Sequence, residues 1–252
     1  MTIINFQSVS THWSDWHKVI SDRLQEFDVD LAAKANLSCI HQSAVFQFAS
    51  IHELIATRIT PMASPIIRIH FEHLALFSLL LLVEPDDDIH QQFVKTNDDA
   101  ACKEFYWKNF SNKKKVVYTR LSELHKQVFS AHKQKLDFEP VNYKMIAEDF
   151  NLALGKYVHP SLIAGMHSAL NRRNLDELQK AYKTDASSVD FDKLSAMERD
   201  SAQIDAFVVK RFLYTTSTFS RVIAFKFIDD TEVLQVHRAA LELTQQFIGQ
   251  GS

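Results

Sequence analysis

Apolar residues recur at every third or fourth position along most of this chain, the spacing that gathers them on one face of an α-helix. From a cap at Ser10 or Thr11 to about Phe27, one face carries Trp13, Trp16, Val19, Ile20, Leu24 and Phe27. Asp15, Lys18, Asp22 and Gln25 fall opposite, and His12 and His17 are expected as surface or boundary polar residues. A second helix is predicted over about Ser43 to Ile59, with Val45, Phe46, Phe48, Ile51, Leu54 and Ile55 inward. Thr60-Pro61 and Ser64-Pro65 then bracket a turn, because proline disfavours helical geometry in the residue before it and suits a first helical turn. The stretch that follows, Pro65 to Pro85, is different in kind. Its first half holds Arg68, His70, Glu72 and His73; its second half, Leu74 to Val83, is wholly apolar or small. A helix over 65–83 is therefore expected at the centre of the fold, and its charged half needs partners, since a buried charge must be paired or neutralised.

Glu84-Pro85 and the run Asp86-Asp87-Asp88 stop that helix and cap the next. Asp98 to about Lys133 reads as two helices broken near Ser111-Asn112, one with Ala101, Phe105, Tyr106 and Phe110 inward, the other with Val116, Val117, Leu121, Leu124, Val128 and Phe129. Gln134 to Val141 is the best internal break, yet Leu136 and Phe138 make it unlike a domain linker. A helix over about Asn142 to Leu154, using Met145, Ile146, Phe150, Leu152 and Leu154, ends at Gly155. Another starts on Pro160 and runs to about Asn171. Beyond Asp190 a long helical region reaches Phe227, with a break expected near Thr215-Thr216-Ser217. Asp229-Asp230 caps a last helix ending at about Ile248.

Composition reinforces this picture. Of 252 residues only four are Gly and five are Pro, too few turn formers for a sheet protein of this size, while 46% hydrophobic content supplies a large core. The expected fold is all-α: a single multi-helix bundle domain over residues 1–252. A net charge of −3 gives no global attraction for nucleic acid, leaving only local basic patches such as Trp107-Lys108 with Lys113-Lys114-Lys115, which could touch phosphate and stack a base. Cys39 and Cys102 form no CxxC pair and are expected as small buried hydrophobes. The segment MTIINFQSVSTHW has neither a basic start nor an apolar core, so no signal peptide is expected and the protein is placed in the cytoplasm. The charges within 66–83 favour a buried soluble helix over a membrane span.

The common catalytic fingerprints are missing: no phosphate loop, no dinucleotide turn, no nucleophile elbow and no zinc helix. His70 and His73 could bind a metal together but lack a second ligand pair, so no cofactor is expected. What remains is Arg68-x-x-x-Glu72, four apart on one helical face, and His159 in YVHPS. Converging, Arg68 could hold an anion, Glu72 could orient it, and His159 could exchange a proton near neutral pH.

RIHFEHLALFSLLLL followed by LGKYVHPSL resembles a group of bacterial helical proteins associated with the HEPN superfamily, which carry an Arg-x-x-x-Glu helix and a later Val-His-Pro segment. HEPN ribonucleases also place His four to six residues beyond an Arg; Arg68 to His73 and Arg120 to His125 satisfy that spacing, with Ile69 and Leu121 where Asn is frequent. The resemblance implies metal-independent RNA cleavage in stress response or phage defence. It assigns catalysis to Arg68, Glu72 and His159, with RNA or a nucleotide as partner and a homodimer housing the site. The alternatives are a non-enzymatic nucleotide- or protein-binding module and a metal-binding helical bundle.

Overall fold

The computed structural model describes residues 5–57, 60–111, 113–132, 141–148, 180 and 191–249, with the backbone alone over 191–205. Every described element is helical, so the chain is an all-α bundle. Helix α1 spans Phe6–Glu26, α2 Leu31–Ala56, α3 Ala63–Leu82 after a 3-10 turn at Thr60–Met62, α4 Asp88–Val94 and α5 Asp99–Tyr106. A π-helical turn, Trp107–Ser111, leads towards α6 at Val116–His132; α7 is Phe191–Lys226 and α8 Thr231–Gly249. A short helical segment covers 143–148.

The expected central helix is central. Helix α3 packs against α2, α6 and α7, and Ile67, Phe71, Leu74, Phe77 and Leu79 are almost fully buried along it. Among the described residues it is also the helix long and apolar enough to cross a bilayer, but most of that apolar stretch is buried inside the bundle. Helix α1 lies across α8 and α2. Its two indoles meet edge to face at 5.7 Å, and the Trp13 Nε1–H donates to Thr244 Oγ1 on α8 at 2.9 Å. At the other end of this pair Arg23 bonds both Asp230 and Glu232 at 2.5 Å. The Asp230 carboxyl is held below the usual range by that guanidinium.

Several expectations change. Helix α1 begins earlier, at an Asn5 cap whose side chain accepts from the Ser8 N–H at 2.9 Å. Helix α2 begins well before Ser43, at an Asp30 cap bonded to the N–H groups of Ala32 and Ala33. Its inward positions are 33, 37, 40, 41, 44, 47, 48 and 51, so Cys39 and Phe46 fall on the opposite face. Both cysteines are exposed rather than buried, and Phe46 is 73% exposed. Met145 is exposed too, because Tyr143 and Ala147 take the inward face of their helical segment. No break occurs at Thr215-Thr216-Ser217: the hydroxyls of Thr215 and Thr216 return to the carbonyls of Arg211 and Phe212 four residues back, and α7 continues through them.

Histidine is the residue type whose placement departs most from expectation. His17 is buried, not a boundary residue: its Nδ1 lies 3.3 Å from His41 Nε2, and Ser21 Oγ bonds the other nitrogen of His41 at 3.2 Å. His70 is wedged between Phe48 and Phe212, His237 sits beside both indoles, and His125 packs on Tyr143 and Phe225. Burial makes the charged form costly, lowering His41 and His125 to about 4 and His70 and His237 to about 3.

Candidate functional site

Helix α3 turns Arg68 and Glu72 to one side, towards the end of α5. Four residues apart, they stand one helical turn from each other, and Arg68 Nε reaches Glu72 Oε1 at 3.6 Å. The third member is Tyr106, on the last turn of α5. Its hydroxyl donates to Glu72 Oε1 at 3.1 Å and accepts from Arg68 Nη2 at 3.5 Å. Tyr106 in turn stacks on Phe110 at 5.7 Å and 18°, and Phe110 meets Tyr118 of α6 edge to face. Helices α3 and α5 therefore fix one polar triangle on an aromatic floor of Phe110 and Tyr118.

The triangle sits at the boundary of the core. Arg68 and Glu72 side chains are 25% and 17% exposed. Burial pushes the Glu72 carboxyl up, while Arg68 and the Tyr106 hydroxyl pull it back down. The nearby Tyr118 hydroxyl is driven well above its ordinary value, first by burial and then by the Glu72 carboxylate. Two contacts occupy the guanidinium, and an arginine has five N–H donors, so capacity for an anion remains. Next in sequence, Trp107 is 67% exposed, a large aromatic surface presented to solvent directly beyond Tyr106.

The remaining site expectations fare differently. His159 lies outside the described residues, as do the rest of its YVHPS segment and the predicted helix from Pro160. The two Arg-to-His spacings do not bring their members together. His73 turns away from Arg68 to α2, where its Nδ1 meets Ser43 Oγ at 3.2 Å and the Gln47 amide. Arg120 forms a bidentate pair with Asp87, the cap of α4, at 3.0 and 2.5 Å, which holds the Asp87 carboxyl low. His125 points instead into the core, accepting from the Val141 N–H at 3.4 Å. Five residues along a helix correspond to a large rotation about its axis, which is why neither pair shares a face. His70 packs on Phe48 while His73 bonds Ser43 and Gln47, all on α2, and among the described residues no group of three or more His, Cys, Asp or Glu side chains could hold a metal ion. In the basic stretch, Lys115 pairs with Glu148 at 3.0 Å and has φ of 46°, a left-handed conformation at the entry to α6.

Sequence reasoning missed Tyr106 as a polar residue, counting only its ring. The available signal was the hydroxyl itself, since a tyrosine on a packed face finds a partner for its O–H. Replacing Tyr106 with Phe removes the shared hydroxyl and leaves Arg68 and Glu72 with their 3.6 Å contact alone. A loss of about 1 kcal/mol in urea unfolding is expected. Glu72→Gln should cost less than Arg68→Met, because the latter strands a largely buried carboxylate.

Compared with known proteins, the chain matches no protein-family model, no curated protein and no solved structure.

Proposed function

We propose that this protein is a cytoplasmic RNA-binding helical module whose ligand, single-stranded RNA, lies across Arg68, Tyr106, Trp107 and Lys108. The observation that carries the reading is the Arg68–Glu72–Tyr106 triangle, followed directly in the chain by the exposed Trp107 indole. A guanidinium held in place by two partners is pre-organised for a phosphate, and an exposed indole stacks on a base whatever its identity. Lys108 and Lys113 extend positive charge along the same stretch. Cleavage is the extension that the HEPN-like resemblance adds. Arg68 would stabilise charge on the phosphate, Glu72 would orient Arg68, and His159 would exchange the proton, in a homodimer and without metal.

Fluorescence anisotropy with a labelled single-stranded RNA, in a chelator and at two salt concentrations, tests the binding. Trp107→Ala should weaken it by roughly tenfold or more, the value of one stacked base. Arg68→Ala should weaken it and flatten the salt dependence. Wild-type affinity in both variants would remove this surface from consideration. Following the same RNA on a gel separates the two levels: cleavage by wild type that disappears in His159→Ala assigns catalysis, and intact RNA throughout leaves a binding module.

A further inference from the structure

A concavity of about 460 Å³ lies at the end of the bundle where α1, α3 and α7 terminate. Its walls include Phe27, Leu37 and Val83, and its volume falls in the range of small-molecule pockets. On its lining, His90 is 4% exposed. The His90 Nε2 bonds the Leu80 carbonyl at 2.9 Å. A carbonyl can only accept, so Nε2 carries the proton and Nδ1 of the neutral ring is an acceptor. That Nδ1 is buried and has no hydrogen-bond partner.

The charges around it have one prevailing sign. Among the described residues, Glu26, Asp28 and Glu84 line the cleft with one Lys or Arg cation, Lys226, and of these carboxylates Glu26 is shared with an arginine, Arg23 at 3.5 Å. The helix ends that reach it are the C-termini of α1, α3 and α7, which carry partial negative charge. The starts of α2 and α4 beside it are already capped by Asp30 and Asp87. The Lys226 ammonium rests 5.6 Å from the centre of the Phe27 ring, so that face already accepts a cation.

We infer that this cleft binds a small primary amine, its ammonium among Asp28, Glu84 and the His90 acceptor and its hydrocarbon body against Phe27 and Leu37. The site is separate from the RNA surface and does not depend on it. Calorimetric titration of the full chain with phenethylamine, 2-phenylethanol and 3-phenylpropionate tests the assignment, because the three share an aromatic body and differ in charge. Phenethylamine should bind with Kd of about 1 mM or tighter and the carboxylate should not bind. The double variant Asp28→Asn/Glu84→Gln, changed at positions outside the core, should weaken amine binding by roughly two- to tenfold. Amine addition should also shift the His90 ring resonances. Equal binding of the three probes, no amine binding at about 10 mM, an unmoved His90 signal or wild-type affinity in the double variant would each overturn the inference.

Discussion

Acidification from neutral pH to about 4.5 should unfold the protein through its buried histidines. His41, His70, His125 and His237 are neutral in the fold, with pKa values of about 4, 3, 4 and 3, whereas each rises to about 6.5 once exposed. The sign follows from linkage. Because the folded value is the lower one, the unfolded chain binds more protons below about pH 6.5, so stability is fully present above that pH and is lost as pH falls towards the folded values. At pH 5 each histidine contributes roughly 2 kcal/mol to unfolding, together roughly 8 kcal/mol, which equals the whole stability of many domains. Circular dichroism and the fluorescence of Trp13 and Trp16 should therefore report a cooperative transition between about pH 5.5 and 4. His70→Phe, which fits the apolar surroundings of Phe48 and Phe212, should move the midpoint to lower pH. A midpoint below about pH 3, or one indifferent to that substitution, would contradict this account.

Trp13→Ala should be the most damaging single change outside the histidines. The indole is completely buried and its N–H is spent on Thr244, so the substitution opens a large cavity and cuts the tie between α1 and α8. A loss of about 3–5 kcal/mol is expected, equivalent to roughly 6–20 °C in Tm for a chain of this length. Trp13→Phe keeps most of the volume. Thr244 still donates to the Ala240 carbonyl at 2.8 Å in that variant, so its cost should stay near 1–2 kcal/mol. Urea unfolding of both variants measures the difference, and similar losses would mean that volume contributes little.

The sequence made the helices legible because burial follows a 3.6-residue period, and α3 stood out because one end of it is apolar on every side. The start of α2 was not legible for the same reason that Cys39 and Phe46 were misplaced: Leu31 to Gln42 is mildly apolar all round, and only packing decides which face turns inward. The pair Arg68 and Glu72 was legible from local spacing. Tyr106 was not, since the contact spans 34 residues and its ring satisfied an apolar pattern that disguised the hydroxyl. The histidines escaped for a related reason. A polar residue beside Trp16 or Phe71 looks like a boundary residue until neighbouring helices close over it, and neutrality lets it stay there.

The π-helical turn at Trp107–Ser111 carries a further consequence. A π turn is closed by i→i+5 bonds and so holds one residue more than an α-helical turn. Tyr106, at the edge of this turn, meets Glu72, and Phe110, inside it, stacks on Tyr106 and reaches Tyr118. Removing one residue from this turn would break the four-residue separation at which Tyr106 and Phe110 stack. Chain length in this turn is thus as much a determinant of the Arg68 surface as any side chain on it.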